Sequence, residues 1–302
     1  GAAAFVLAAY SGVPYIEVAL ASLIPALLYF GGLFWFIHLE AHKENLVGIP
    51  AEDKPSIKAV LLKGGHLVSP LLVLIGCLVY GYSPVRAAFY GIAFTVVISW
   101  VRKETRIGPK EFIEALEQGA KSSILIIVTC AIVGYVIGGF LITGLGLNAS
   151  SAIVGFAGGN FIAILFLVGI ACIVLGMGMN TVAAYLLVSV VGVPALTSQG
   201  IDPFVANMFV FYFALLSHIT PPVCLAIFAG AQIAGANIWE TAFMGMKMSA
   251  VPYLLPFLIV FAPSLLLIGE PVTIAINTAA TTVGFLFVIS AIQGWALTPL
   301  NL

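Results

Sequence analysis

The sequence predicts an all-α polytopic membrane protein built from inverted repeats, with discontinuous helices and re-entrant helical hairpins. Three observations predict it. The composition is one that water cannot solvate, apolar sequence is broken twice by residues that cannot continue a helix, and the two ends of the chain correspond to one another.

Of 302 residues, 62% are hydrophobic and 8% charged, and the mean hydropathy is +1.18. A soluble domain carries roughly a quarter of its residues as charges, about three times this complement, so most of the surface must face lipid. The net charge of −1 supplies no electrostatic footprint for nucleic acid, and no such partner is expected. Cys77, Cys130, Cys172 and Cys224 lie far apart in apolar sequence. They read as small buried hydrophobes, not as a disulfide or metal framework, and no cofactor or resident metal is expected. The chain opens inside an apolar segment, GAAAFVLAAY, without Met or a cleavage signal, and reads as a piece of a longer protein.

A spanning helix takes about 20 apolar residues. Residues 14–37 fit one span, and 67–82 and 85–101 fit two short ones joined at Ser83-Pro84. Polar stretches at 39–66 and 102–118 hold Lys43, Lys54, Lys58, Lys63, Arg102, Lys103, Arg106 and Lys110, with the breakers Gly48, Pro50 and Pro55 in the first. Two spans separate these stretches, so they share a side, and the positive-inside rule makes that side cytoplasmic. The segment PKEFIEALEQGAK (109–121) spaces Phe112, Leu116 and Gly119/Ala120 along one face, which predicts a short interfacial helix. Apolar segments follow at 122–142, 150–175 and 181–196, then two too short to span at 204–216 and 223–236, and finally 249–268 and 272–292. Three regions are expected. Residues 1–66 hold the end of a first hairpin, a spanning helix and a loop. Residues 67–121 hold a two-span hairpin with the interfacial helix. Residues 122–302 hold a second repeat with a broken helix (176–181) and a hairpin (204–236).

Non-helical backbone inside hydrocarbon survives only where it lines an enclosed or watery cavity. The first candidate is GMGMNT, with Gly176, Gly178, Asn180 and Thr181 between two apolar runs. The second is SHITPP, with Ser217, Thr220, Pro221 and Pro222. Its two prolines remove two N–H donors and bias Thr220 away from helix. Flanking helices of about 14 residues cannot cross a bilayer at ~1.5 Å per residue, so a re-entrant hairpin is expected there. Exposed carbonyls at a helix C-end suit Na⁺, and free N–H groups at an N-end suit a carboxylate. Asn180, Thr181, Ser217 and Thr220 supply hard oxygens. Neither segment contains a carboxylate, which favours Na⁺ over a proton relay.

A constant offset brings Ala3, Phe5, Ala8, Gly12, Glu17 and Ala19 onto Ala226, Phe228, Ala231, Gly235, Glu240 and Ala242; with a four-residue slip, Ile24-Pro25 meets Val251-Pro252. Transporters are commonly built from two inverted repeats with a broken element in each. The pairing makes residues 1–11 the second arm of a hairpin whose tip lies upstream.

LGMGMNTVAAYLL (175–187), FVFYFALLSHITPPVCLAIFAGAQIAGA (209–236) and SLIPALLYFGGLFWFIHLEAHK (22–43) resemble the large permease of TRAP transporters, the DctM-like membrane domain. EALEQGAKSS (114–123) and the turn at 82–87 are similar to the fused-permease branch that works with TAXI-type binding proteins. The resemblance implies a multi-pass protein of the cell (inner) membrane: an elevator-type secondary transporter that moves carboxylates inward on a Na⁺ gradient. It implies an extracytoplasmic substrate-binding protein as partner, and a small TRAP membrane subunit or its fused equivalent. It places Gly176, Gly178, Asn180, Thr181, Ser217, Thr220, Pro221 and Pro222 at the substrate and Na⁺ site. The family usually has Pro where this chain has Asn180. The first hairpin tip and the small subunit are not in this sequence, so the piece alone is not expected to transport.

Other readings are another elevator-type symporter for Na⁺ and citrate or a dicarboxylate, a channel, and an intramembrane hydrolase. A channel wants a ring of charges or carbonyls. The hydrolase lacks GxSxG, HExxH and paired intramembrane Asp, and adjacent Ser217 and His218 should not face each other on a helix. No enzyme activity is expected. Arg86 is expected at headgroups, and Glu17, Glu240, Lys247 and Glu270 at span ends. No arginine sits in the predicted site. Either helix N-ends bind the substrate, or upstream residues contribute, or the substrate is not a carboxylate.

Overall fold

Helix is the regular structure throughout the described residues, as main chain in hydrocarbon requires. The computed structural model describes residues 2–46, 56, 58 and 64–295. Its helices are α1 (Ala2–Ser11), α2 (Tyr15–Ala21), α3 (Leu23–Lys43), α4 (Ser69–Val79), α5 (Pro84–Ser99), α6 (Pro109–Thr143), α7 (Leu145–Phe156), α8 (Phe161–Gly176), α9 (Thr181–Thr197), α10 (Pro203–Leu216), α11 (Leu225–Ala234), α12 (Ile238–Met248), α13 (Ala250–Phe261) and α14 (Pro271–Gln293). Among the described residues, four stretches are long and apolar enough to cross a bilayer: Tyr15–Lys43, Pro109–Thr143, Ile238–Phe261 and Pro271–Gln293. Long stripes of exposed apolar side chains, such as Leu27, Phe30, Phe34 and Ile37 on α3, are surface that lipid covers. Much of the polar stretch at 39–66, with Gly48, Pro50, Lys54, Pro55 and Lys63, lies outside the described residues.

Two expectations need correction. The interfacial helix predicted at 109–121 does not end there: α6 is one helix of 35 residues. Gly119 alone cannot stop it, because a lone glycine costs only about 1 kcal/mol, and the (i, i+4) pairs Lys110–Glu114 and Glu117–Lys121 favour continuation. The single segment predicted at 150–175 is divided between α7 and α8. Gly158 and Gly159 both take positive φ (59° and 79°), and Asn160 caps α8 by accepting from the Ala163 N–H at 3.1 Å.

The chain divides into two compact units, Val47–Ile127 and the remainder, Gly1–Leu46 with Val128–Leu302. The sequence groups residues 1–66 as one region; of these, 1–46 fall in the larger unit. They group with the C-terminal part because α1 packs on α9 and α10, and α3 packs on α13 and α14. In the smaller unit α4 and α5 pair lengthwise. Aromatic and basic residues mark both ends of the pair. Arg86 lies over the Tyr82 and Tyr90 rings at 4.8 and 5.9 Å. At the other end Trp100 donates to the Ile107 carbonyl at 2.9 Å, and Arg106 lies 5.4 Å over its ring. Such girdles form where rings and cations meet headgroups.

The larger unit is centred on α9 and α10. Both are apolar all round, the mark of a helix enclosed on every side, and most of their side chains are buried. Lipid offers no hydrophobic drive between helices, so close packing must hold them. Small residues supply it. A Cβ on Gly192 of α9 would stand 2.7 Å from Val210 and 3.2 Å from the Cys172 sulfur. One on Gly146 would stand 2.7 Å from Val190, and one on Gly32 of α3 would stand 3.2 Å from Val251 of α13. A polar pin crosses the same core: the buried Tyr185 hydroxyl of α9 donates to Asn207 Oδ1 of α10 at 2.7 Å, and the Asn207 amide donates to the Pro203 carbonyl at 2.8 Å.

The end-to-end correspondence appears element by element. α1 and α11 each have 10 residues and are followed by a left-handed glycine, Gly12 (φ 72°) and Gly235 (φ 61°). A short helix comes next, 7 residues in α2 and 11 in α12; that excess of four is the slip read in the sequence. Each short helix ends at a serine bonded back one turn, Ser22 to the Val18 carbonyl and Ser249 to the Gly245 carbonyl. Ring pairs close both turns, Phe5 with Tyr15 and Phe228 with Trp239. Burial differs. α1 buries Ala3, Leu7 and Ala8, whereas α11 leaves most of its surface open and buries Ala231.

Tyr185→Phe should lower stability by about 1–3 kcal/mol, because Asn207 Oδ1 is left buried without its donor. Adding Asn207→Leu should recover most of the loss, since an apolar pair leaves nothing unpaired. Thermal unfolding midpoints in detergent compare the single and double variants.

Candidate functional site

The two predicted breaks meet. α8 and α10 lie against each other with Gly169 facing Phe213 and Gly176 facing Ser217. A Cβ on Gly169 would stand 2.8 Å from the Phe213 ring, and one on Gly176 would stand 2.8 Å from Ser217 Oγ. Both facing pairs advance in the same direction along their helices. The C-terminal ends of α8, at Gly176, and α10, at Leu216, therefore come together. Each end carries roughly half a negative charge, so about one unit gathers there. Between Lys121 and Lys247 the sequence has no Lys or Arg to offset it.

The first break spans Met177–Asn180. Gly178 has φ 78°, a turn that glycine adopts without strain. Asn180 then caps α9, its Oδ1 accepting from the Ala183 N–H at 3.0 Å, and Thr181 is the first residue of that helix. Asn180 thus has a local reason at this position: a side-chain cap stabilises a helix start by about 1 kcal/mol.

At the second break the side-chain protons of Ser217, His218 and Thr220 are committed to the tip's own helix. Ser217 is fully buried, and its hydroxyl donates to the Ala214 carbonyl at 2.7 Å. The Thr220 hydroxyl donates to the Leu216 carbonyl at 2.6 Å. A hydroxyl has one proton, so the 2.6 Å contact between Thr220 Oγ1 and Tyr253 Oη must be donated by Tyr253. His218 Nδ1 donates to the Ala214 carbonyl at 3.0 Å. What remains on Ser217 and Thr220 is lone pairs. Pro221 and Pro222, joined by a cis bond, carry the chain over to α11, whose first N–H groups hold the tip: Cys224 to the Thr220 carbonyl at 3.2 Å and Ala226 to the His218 carbonyl at 3.4 Å. Beyond the tip α11 packs on α12, where Ile227 meets Gly245.

Ser217 and His218 do approach each other, at 3.4 Å between Oγ and Nδ1. Each donates to Ala214, so His218 Nδ1 has no lone pair with which to draw a proton from the serine. Among the predicted residues the structure joins Gly176 to Ser217. It turns Thr220 toward Tyr253 and Asn180 toward its own helix. Sequence reasoning missed Tyr253, Gly169 with Phe213, and the Tyr185–Asn207 pin. A tyrosine in an apolar helix needs a partner for its hydroxyl, and that was the available signal for Tyr253 and Tyr185.

Residues 1–290 match the family described as the tripartite ATP-independent periplasmic transporter, DctM component. A curated relative, the isethionate TRAP transporter permease protein DctMQ of Oleidesulfovibrio alaskensis, is 22% identical over 205 residues, which are 66% of this chain and 31% of that protein. The chain thus spans about a third of the length of the curated relative it matches.

Gly176→Ala should lower the unfolding midpoint by the equivalent of about 1–3 kcal/mol, the cost of overpacking. Ser217→Ala in the same chain should return part of it by removing the oxygen in the way. Strictly additive effects of the two substitutions would mean that the break and the tip do not touch.

Proposed function

The chain belongs to the DctM family of TRAP transporters, and on that premise we propose that it is a permease that imports small organic acids, carboxylates first among them, coupled to a Na⁺ gradient across the inner membrane. One observation carries the coupling: two helix C-ends converge where the hydroxyl protons of the tip are already committed inward, so the free valences are oxygen lone pairs in a negative field. Neutral oxygens in such a field suit a hard monovalent cation. Na⁺ would draw on Ser217, Thr220 and the carbonyls around Gly176–Thr181.

The anion has a different resource. α9 begins beside the first break, and helix N-ends attract anions. No arginine is needed for that, which fits its absence from the stretch 122–246. Na⁺ binding orders the Pro221-Pro222 tip, whose trailing arm α11 is mostly exposed and is held by few buried contacts, the condition for local movement. The cargo then binds beside the ordered tip, and the domain that bears the hairpin moves as an elevator against a fixed scaffold, to which we assign α4 and α5. An extracytoplasmic binding protein, of TAXI type on the sequence resemblance, delivers the substrate, and a small membrane subunit or fused equivalent completes the transporter. The isethionate in the relative's name is taken here for its class, a small organic anion.

The test is uptake of labelled carboxylates by proteoliposomes that hold the complete transporter and its receptor, with and without a Na⁺ gradient. Uptake should vanish without Na⁺. Thr220→Val should raise the Na⁺ needed for half-maximal uptake by about 10–100-fold, the worth of one oxygen bonded to a charge. Uptake indifferent to Na⁺ would end the coupling, and normal Na⁺ dependence in the Val variant would remove Thr220 from the site.

A further inference from the structure

His218 lies in the tip between Ser217 and Thr220, and its tautomer is set by its surroundings. The partner of Nδ1 is the Ala214 carbonyl, 3.0 Å away. A carbonyl only accepts, so Nδ1 carries the proton and Nε2 of the neutral ring is a bare acceptor. That Nε2 is buried and meets no hydrogen-bond partner among the described residues. A buried acceptor left unmade is costly, and such groups in a folded protein call for an explanation.

A metal does not supply one. Imidazole nitrogen selects transition metals, not Na⁺, and no group of three or more His, Cys, Asp or Glu able to hold a metal occurs among the described residues. Ser217 and Thr220 cannot donate to Nε2, because their protons go to Ala214 and Leu216. The missing donor has to come from outside the tip.

We propose that His218 is a specificity-determining residue that accepts a hydrogen bond from the cargo, and that the substrate class is a small organic acid bearing a hydroxyl or ammonium donor beside its acid group. This rests on the transport reading of the same tip and sharpens it. Na⁺ takes the hydroxyl lone pairs, the acid group goes to the N-end of α9, and the neighbouring O–H or N–H completes His218. An acid without that donor leaves Nε2 unpaired at every binding event, and a site built around a substrate hydrogen bond rejects the analogue that cannot make it.

The experiment compares matched acids in proteoliposomes holding the complete transporter with its receptor: lactate with propionate, malate with succinate, glutamate with glutarate. Wild type should prefer the donor-bearing member of at least one pair by about tenfold or more. His218→Phe should shrink that preference to within about twofold while uptake stays Na⁺-dependent, and His218→Gln, which keeps an acceptor, should retain part of it. The receptor is common to every measurement, so a changed preference belongs to the permease. No preference in wild type, or an unchanged one in the Phe variant, overturns the assignment. A second readout does not need transport. In nanodiscs holding the complete transporter, the ¹⁵N signal of His218 Nε2 can be assigned by its loss in His218→Phe. It should lie where unprotonated ring nitrogens lie, and should move on adding the donor-bearing acid but not its partner. A protonated Nε2, or no movement with either acid, overturns the proposal even where uptake is Na⁺-dependent. Absence of Na⁺-dependent uptake together with the expected ¹⁵N response would instead overturn the transport reading alone.

Discussion

Everything local to the site depends on how closely α8 and α10 approach. Gly169 and Gly176 present no side chain to Phe213 and Ser217, so two helix ends of like polarity are held in contact. Such ends repel, and dispersion contacts along the rest of the two helices must outweigh that repulsion. Gly192 against Val210 and Cys172, and the Tyr185–Asn207 pin, add to the same clamp through α9. The clamp is consequently dense where the two C-terminal ends meet, and in the proposed transporter a cation arriving there would offset their mutual repulsion.

The repeat divides the labour unequally. α1 and α11 have the same length and the same glycine exit, yet α1 is sunk among α9 and α10 while α11 stands largely open. The same sequence pattern therefore serves as core in one repeat and as a loosely held arm in the other. The difference lies in what surrounds each arm: α1 meets the two enclosed helices, α11 meets the short amphipathic α12. Symmetry of sequence fixes the local path of the chain, and the neighbours fix how strongly each copy is held.

The spans were legible because lipid imposes a simple rule, about 20 apolar residues without a charge, and α3 and α14 follow it. The breaks were legible because Gly-x-Gly-x-Asn and Pro-Pro cannot continue a helix. Continuity was harder. Nothing in PKEFIEALEQGAKSS says whether helix stops at the water boundary, and α6 runs on past Gly119, which the Glu117–Lys121 pair bridges. The Gly158-Gly159-Asn160 turn was available in the sequence but was outweighed by the apolar run around it. Tyr253 could not be placed, since its partner Thr220 is 33 residues away and the meeting is decided by how α10 packs on α13.

The chemistry of the tip follows from counting protons. Ser217, His218 and Thr220 each have one to give, and all three give it to the last turn of α10. Satisfying helix-end carbonyls from side chains is a general need of helix termini; here it has a second consequence, because it strips the tip of donors. On the proposed reading, Na⁺ and a donor-bearing acid are complementary to what is left: the first needs oxygen lone pairs and the second needs a nitrogen lone pair. Which lone pairs the side chains of this loop present is thus set by α10, through the carbonyls of Ala214 and Leu216.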